Sequence, residues 1–267
     1  MNRYVMTVPK IAIDHIRQVF QRNRSPLVVL EDFSLDVAAN EFVTIVGTSG
    51  CGKSTLLNII GGLLEATAGE VRIDGRSIQG PGRDRGFVFQ SYSLFEWLTV
   101  EKNILFALKK SGLQAAEKNA AVQHYIDIVG LKGFEKAYPK QLSGGMCQRV
   151  AIARALVYKP DVLLMDEPFG ALDAQTRGMM QELLLKVWGE HRTTVVFITH
   201  DVEEAIFLSD RVIVMSSLPG RLKTQFQVPI ERPRSYEVMT DAAFIDIKRQ
   251  VIEAIREETL KAMAVTA

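Results

Sequence analysis

Several short stretches of the chain are apolar almost throughout instead of alternating between apolar and polar residues. They are rich in β-branched side chains and occupy residues 42–46, 162–165, 195–198 and 212–215. Strands that are buried on both faces of a parallel sheet show this continuous pattern. Segments with helical spacing separate these stretches, so we predict a layered α/β fold with a parallel sheet at its centre.

Two other regions are predicted to be helical. Residues 98–130 have helical spacing and few β-branched clusters, which indicates an all-helical insert over about 91–159. A second helical pattern lies in a C-terminal extension over 236–267. Its apolar residues recur among charged ones, at Phe244, Ile247, Val251 and Ile255. The pattern leaves open whether this helix regulates, dimerises or packs against the rest of the chain.

Composition excludes several classes of protein. With 47% apolar and 24% charged residues the chain has the composition of an ordered globular protein. A net charge of +1 gives no support to general electrostatic binding of nucleic acid, and we expect no nucleic-acid partner. No apolar run approaches the roughly 18–20 residues that span a bilayer, so any contact with a membrane is expected to go through a partner. The two cysteines cannot form a disulfide framework, which fits a reducing compartment.

A glycine-rich segment with the spacing G-x-x-x-x-G-K-[ST] follows the first predicted strand and precedes a helical pattern. It consists of Gly47, Thr48, Ser49, Gly50, Cys51, Gly52, Lys53 and Ser54, with Thr55 next. Glycines let successive N–H groups turn inward around an anion, and the start of a helix attracts phosphate. Lys53 adds a charge for the β- and γ-phosphates, and the Ser54 hydroxyl is suited to Mg²⁺. We therefore predict a nucleotide site, which we call the phosphate loop (47–55).

Two carboxylates follow the predicted strand 162–165. Asp166 can hold a metal ion, directly or through water, and Glu167 can polarise an attacking water. An acidic pair at the end of a strand is common by itself. Together with the phosphate loop it predicts hydrolysis of a nucleotide.

A third segment narrows the class of nucleotide-binding protein. The run Leu-Ser-Gly-Gly-Met-Cys-Gln-Arg at 142–149 places Ser143, Gly144 and Gly145 at a predicted helix start, with a capping hydroxyl and bare amides. With this run the chain resembles the ATP-binding cassette (ABC) family. The resemblance implies a P-loop NTPase fold of the RecA type over 11–235, with a parallel-sheet core, an inserted helical subdomain and an N-terminal β region.

The resemblance also implies roles for residues outside these segments. Gln90 resembles the glutamine that senses Mg²⁺ and the attacking water. Asp173, in Ala171-Leu172-Asp173, resembles a loop that lies across the dimer interface, and His200 resembles the switch histidine that contacts the γ-phosphate. Phe20 stands where the family places an aromatic residue that stacks on adenine, although a core phenylalanine is an equal alternative.

Within the family the chain resembles importers of the nitrate, sulfonate and taurine branch. The run 165–173 resembles bacterial importers in general. The resemblance to this branch is carried by 209–216, by Leu218-Pro219-Gly220-Arg221 and by 229–234. The sequence departs from the family where Asn40 replaces a glycine and Glu96 a frequent proline. Asparagine also tolerates a left-handed turn.

The resemblance implies an ATP-hydrolysing subunit that binds ATP and Mg²⁺ and acts as a homodimer of cassettes joined head to tail. It implies transmembrane permease subunits and a separate solute-binding protein as partners, at the cytoplasmic face of the inner membrane. The segment 90–100, with Leu94, Phe95, Trp97 and Leu98, is expected to face the permease or to pack in the core of the insert. The transported solute is not encoded in this chain.

Two other classes are considered. An ABC ATPase that acts on DNA or the ribosome shares these motifs but usually carries long coiled coils, zinc insertions or a second cassette, none of which is present here. A small-molecule P-loop kinase would need neither the run at 142–149 nor His200 after a strand. We expect the importer subunit.

Overall fold

The computed structural model describes residues 8–22, 25–170, 172–191 and 193–266. Within these ranges the chain divides into two compact units. The first contains the described residues up to 82 together with 194–231 and 236–266. The second contains the described residues of 83–193 together with 232–235.

The strands of the described chain alternate with helices after an N-terminal β region. In chain order they are β1 (Ile11–Arg22), β2 (Ser25–Val37), β3 (Phe42–Val46), β4 (Ala68–Ile73), β5 (Arg76–Ser77), β6 (Arg85–Val88), β7 (Val162–Asp166), β8 (Thr194–Ile198), β9 (Arg211–Met215) and β10 (Leu222–Gln227).

The helices fall between these strands and at the C-terminus. They are α1 (Lys53–Ile60), α2 (Val100–Ala107), α3 (Ala115–Ile128), α4 (Gly144–Leu156), α5 (Ala174–His191), α6 (Val202–Leu208) and α7 (Ala242–Thr266), with short 3-10 helices at Pro139–Gln141 and Tyr236–Thr240. Among the residues that the structure describes, no helix is both long and apolar enough to span a membrane.

An antiparallel sheet in the first unit confirms the N-terminal β region. Its strand order is β2-β1-β4-β5, and Ile11 pairs with Val37 on one side and with Ile73 on the other. These paired side chains are buried, so one face of the sheet contributes to the core of the unit. Asn40 lies in the turn after β2 with φ of +61°, which confirms the left-handed turn expected where the family has glycine.

Within each unit, the continuous apolar strands pair in parallel, as their pattern predicts. In the first unit β3 lies between β8 and β9 and is parallel to both, while β10 is antiparallel to β9. Every residue of β3 and β8 is buried. In the second unit β6 and β7 pair in parallel, with Val88 opposite Met165.

The stretch 91–159 of the second unit contains α2, α3, α4 and a 3-10 helix, and no strand within its described residues. The unit also includes β6, β7 and α5, so it extends beyond the predicted insert on both sides. The helices α3 and α4 both pack against α2, around buried residues such as Ile104 and Val150.

The C-terminal helix packs through the apolar stripe that the sequence predicts. Phe244, Ile247 and Val251 of α7 are buried in the first unit, and Ile255 is half-buried. Glu258 of α7 is also buried, although it carries a carboxylate. It is only 3% exposed, and this burial was not predicted.

Candidate functional site

The phosphate loop connects β3 to α1 and has the backbone shape that the glycine spacing predicts. Gly50 and Gly52 have φ of +78° and +103°, in the left-handed region that favours glycine. A Cβ on Gly52 would also lie 2.9 Å from Cδ2 of Leu30. Ser49 and Gly50 are exposed, so the loop is open to a ligand from solvent.

Lys53 is the first residue of α1, and its side chain is folded under the loop. It is only 6% exposed, and its Nζ donates hydrogen bonds to the carbonyl oxygens of Gly47 at 2.9 Å and Thr48 at 3.0 Å. The ammonium charge and the positive end of the α1 dipole therefore lie at the same place, which favours an anion there. The Ser54 hydroxyl follows on the exposed side of the helix.

Cys51 of the loop is buried, and this burial raises the pKa of its thiol. The thiol therefore stays protonated and is a poor nucleophile. This is consistent with a space-filling residue in the loop.

The parallel pairing of β3 and β8 brings His200 to the same sheet edge as the phosphate loop. Ile45 pairs with Ile198, and the Thr199 N–H donates to the Ile45 carbonyl at 3.3 Å. His200 is exposed, two residues beyond β8, just as Gly47 is two residues beyond Ile45. Neighbouring parallel strands thus deliver the histidine and the loop to one edge, where such sheets bind ligands.

In the second unit, the parallel pairing of β6 and β7 brings Gln90 and Glu167 together. Val88 pairs with Met165 across β6 and β7, and one of these polar residues lies two positions after each member of the pair. The Gln90 Nε2 donates to the Glu167 Oε2 at 3.4 Å. The structure therefore brings together the two residues that were predicted to orient and polarise water.

Glu167 has an unusual backbone for a residue with a side chain. Its φ is +42°, a value that residues other than glycine rarely adopt. Such strain costs of the order of 1–3 kcal/mol and concentrates at functional sites. Nothing in the sequence indicates this conformation, because a strand end does not reveal its dihedral angles.

The residues expected to hold Mg²⁺ have suitable chemistry. Ser54, Gln90 and Asp166 offer a hydroxyl, an amide oxygen and a half-buried carboxylate, all hard oxygen donors. Nowhere in the described ranges do three or more His, Cys, Asp or Glu side chains form a metal cluster. Mg²⁺ usually takes one or two carboxylates and completes its shell with water and phosphate oxygens, so donors of these types suit it, and their binding of Mg²⁺ stays a prediction.

The helix start at Ser143 has the predicted cap. The Ser143 Oγ accepts a hydrogen bond from the Met146 N–H at 3.3 Å, and α4 begins at Gly144. Ser143 and Gly144 are exposed. A Cβ on Gly144 would lie 2.7 Å from the Tyr92 hydroxyl, so a larger residue there would require the Tyr92 side chain to shift. This second helix start therefore presents amides to solvent.

Asp173 lies close to this helix start in the same unit. Its carboxylate accepts the Thr176 N–H at 3.0 Å, and this hydrogen bond lowers the pKa of Asp173. A Cβ on Gly145 would lie 3.0 Å from Cγ2 of the same Thr176. The exposed loop of Asp173 and the start of α4 are thus neighbours, while Ala171 lies outside the described residues.

Phe20 does not lie in the core. It is 38% exposed on β1, which removes the core alternative and leaves stacking on adenine as a prediction.

Two fully buried amides in the second unit were not predicted. Asn103 is fully buried and holds the segment before α2, because its amide bonds to the backbone of Phe95, Leu98 and Thr99. Gln148 is fully buried in α4, and neither polar atom of its side chain has a hydrogen-bond partner within the described chain. Asn103 lies in a plain helical pattern and Gln148 within the run 142–149, and neither pattern indicates that the amide is buried.

Comparisons with known proteins agree with this geometry. The family model described as ABC transporter matches residues 30–170. An uncharacterized ABC transporter ATP-binding protein of Methanocaldococcus jannaschii is 46% identical over 95% of this chain and 94% of its own length. An aliphatic sulfonates import ATP-binding protein of Bacillus cereus is 46% identical over 91% of this chain and 94% of its own. A nitrate import ATP-binding protein of Synechocystis is 44% identical over 92% of this chain and 95% of its own length.

Solved structures agree as well. A dimeric ATP-binding cassette in a post-hydrolysis state, bound to ADP and phosphate, has a TM-score of 0.74 and 33% identity. It covers 83% of this chain and 100% of its own. The predicted ABC ATPase fold is therefore confirmed.

Proposed function

Because this chain belongs to the ABC transporter family of ATP-binding proteins, a family that hydrolyses ATP, we propose that it powers a bacterial importer. The solute is nitrate, a sulfonate, taurine or a related small molecule, as the names of the sulfonate and nitrate relatives suggest. The observation that carries the hydrolytic part is the contact between Gln90 and the strained Glu167.

The proposed chemistry assigns a task to each predicted residue. Lys53 and the amides of the phosphate loop bind the β- and γ-phosphates, and His200 contacts the γ-phosphate. Glu167 polarises the attacking water, and Gln90 orients it. Ser54, Asp166 and Gln90 would hold Mg²⁺, which neutralises charge on the phosphates when bound.

We propose that two copies act as a head-to-tail dimer. Each ATP then lies between the phosphate loop of one copy and the Ser143–Gly145 helix start of the other, with Asp173 at the interface. The exposure of Ser143 and Gly144 supports this arrangement, and so does the dimeric state of a similar cassette. Because ATP contacts both copies only when they are closed, ATP favours the closed dimer by differential binding.

An exposed aromatic cluster in the second unit supports a permease partner. Trp97 is 73% exposed and Phe106 is 47% exposed, and the ring of Phe95 lies 5.5 Å from the first and 4.5 Å from the second between centroids. Grouped exposed aromatic rings are typical of protein interaction sites. We propose that this aromatic cluster (Phe95, Trp97 and Phe106) binds the permease at the cytoplasmic face of the inner membrane.

Affinity purification from gently solubilised host membranes tests the transport part. The expected result is a polytopic membrane protein in stoichiometric amount, with a linked solute-binding protein. Recovery of a soluble partner or of nucleic acid, with no membrane protein, would leave the ATPase standing and overturn the importer.

A further inference from the structure

The turn between β9 and β10 contains the Leu218-Pro219-Gly220-Arg221 run, to which the proposed chemistry gives no task. Its ends are tied together. The Ser216 Oγ accepts the Arg221 N–H at 2.8 Å and donates to the Pro219 carbonyl at 3.0 Å. The Ser216 N–H also donates to the Arg221 carbonyl at 2.9 Å. These bonds fix the shape of the turn, which we call the β9–β10 turn (216–221).

Gly220 of this turn packs directly against the back of the phosphate loop. A Cβ on Gly220 would lie 2.2 Å from the carbonyl oxygen of Cys51. The φ of Gly220 is outside the left-handed region, so glycine is needed for space and not for conformation. The contact is tight enough that movement of the turn must move the loop.

The same glycine is fixed to β2, which forms the rest of the support under the loop. The Gly220 N–H donates to the Val29 carbonyl at 2.8 Å, and its carbonyl accepts the Glu31 N–H at 3.1 Å. Leu30 and Val29 in turn lie against Gly52, and their nearest side-chain atoms are 2.9 Å and 3.1 Å, respectively, from the position of a Cβ there. The phosphate loop therefore rests on β2 and on the β9–β10 turn together.

On its other side the β9–β10 turn is held by α7 through Glu258. The Glu258 Oε2 accepts both the Ser217 N–H at 3.0 Å and the Ser217 Oγ–H at 3.2 Å. The second oxygen, Oε1, lies 3.1 Å from the Lys223 Nζ and 2.8 Å from the Lys261 Nζ. With so many donors, the buried carboxylate fixes the turn to the helix.

We propose that Glu258 and Gly220 are positioning residues for nucleotide binding, through which α7 holds the β9–β10 turn against Cys51 and keeps the phosphate loop in its binding shape. A preformed loop binds phosphate more tightly, because the nucleotide does not have to order it. This inference rests on the proposed binding of ATP at the phosphate loop. It gives the C-terminal helix a task that its apolar stripe alone left open.

The test compares Glu258→Ala with Glu253→Ala, the same change at an exposed position of the same helix. ATP affinity is measured by calorimetric titration, and KM and kcat by steady-state hydrolysis. We expect Glu258→Ala to raise Kd and KM for ATP about fivefold to tenfold, as for the loss of one or two hydrogen bonds. The kcat at saturating ATP should stay within about twofold, since no reacting group is changed. Glu253→Ala should match the wild type.

A conservative variant separates positioning from general destabilisation. Glu258→Gln keeps an acceptor for the Ser217 N–H but loses the charge opposite Lys223 and Lys261, so it should recover most of the affinity. Gly220→Ala tests the other end of the support and should weaken ATP binding about tenfold or more while α7 remains folded. Both variants are available if Glu258→Ala does not fold.

Two results are decisive in the other direction. If folded Glu258→Ala or Gly220→Ala binds ATP as tightly as Glu253→Ala, the positioning role is wrong while the proposed function stands. If the wild type itself does not bind ATP, the proposed function fails, and the inference fails with it.

Discussion

Asn103 and Gln148, two fully buried amides of the second unit, differ in how their polar atoms are satisfied. The Asn103 side chain makes bonds to backbone groups of Phe95, Leu98 and Thr99, whereas the Gln148 side chain makes none within the described chain. A buried hydrogen bond stabilises modestly, but an unpaired buried polar group costs about 1–3 kcal/mol. The two residues should therefore respond to apolar substitution in opposite ways.

We predict that Gln148→Met raises the free energy of unfolding by about 1 kcal/mol, because it removes the unpaired amide at nearly constant volume. The matched change Asn103→Leu should lower it by about 2–4 kcal/mol, because it leaves several backbone groups unpaired. Urea unfolding of both variants measures the difference. A stability loss of similar size in both would show that Gln148 has partners in solution.

Lys53 is the residue whose charge the phosphate loop depends on. We predict that Lys53→Ala weakens ATP binding about tenfold to 100-fold, because a charge-assisted contact to the phosphates is lost. Lys132→Ala, at an exposed position, is the control. Titration with ATP measures both, and equal affinities would contradict the assignment of Lys53.

At the scale of elements, the docking of α7 is expected to depend on pH. Burial alone would raise the pKa of Glu258, but the hydrogen bonds from Lys261, the Ser217 N–H and Lys223 outweigh it, and the pKa falls from 4.5 to about 2. Because the pKa of Glu258 is lower in the folded state, the carboxylate stabilises the fold fully at pH values above its pKa in the unfolded chain. This stabilisation is lost as the pH falls from the pKa of the unfolded chain towards the pKa of the folded state.

The melting temperatures of the wild type and Glu258→Gln test this pH dependence. We predict that the wild type melts higher at neutral pH and that the difference shrinks below about pH 4.5, as Glu258 becomes protonated. Lys223, Lys261 and Glu257 surround the carboxyl group, so the comparison is made at constant ionic strength. A difference that stays constant down to low pH would contradict the low pKa.

The elements that the sequence predicted are those that carry a strong pattern. β3 and β8 are predicted because all their residues but one threonine in each are apolar, and α7 because its apolar residues recur at helical spacing. β6 was missed because Arg85 and Gly86 interrupt its apolar run. The phosphate loop could be predicted because its chemistry requires particular residues at fixed spacing.

The features that the sequence does not predict depend on contacts between distant parts of the chain. The close approach of Gly220 to Cys51 and the buried Glu258 come from packing, which a single sequence does not display. The left-handed Glu167 is likewise set by its surroundings, since a carboxylate at a strand end has no preference for that conformation.

At the scale of the whole molecule, the aromatic cluster should separate partner binding from catalysis. We predict that Trp97→Glu weakens capture of the permease about 30-fold or more, as for an interface residue of high importance. ATP hydrolysis by the isolated chain should be unchanged. Tyr138→Glu, at another exposed aromatic residue, is the control, and full capture by Trp97→Glu would contradict the proposed surface.

The most direct test of the whole account is the Glu167→Gln variant, measured for ATP hydrolysis and for ATP-dependent dimerisation by size exclusion. Loss of the carboxylate should slow hydrolysis about 100-fold or more, because a general base typically contributes that much. ATP binding should persist, and the ATP that is not hydrolysed should hold two copies together as a stable dimer. Glu253→Gln serves as the matched control. Hydrolysis by Glu167→Gln at the wild-type rate would contradict the assignment of Glu167, and a monomer at saturating ATP would contradict the head-to-tail dimer.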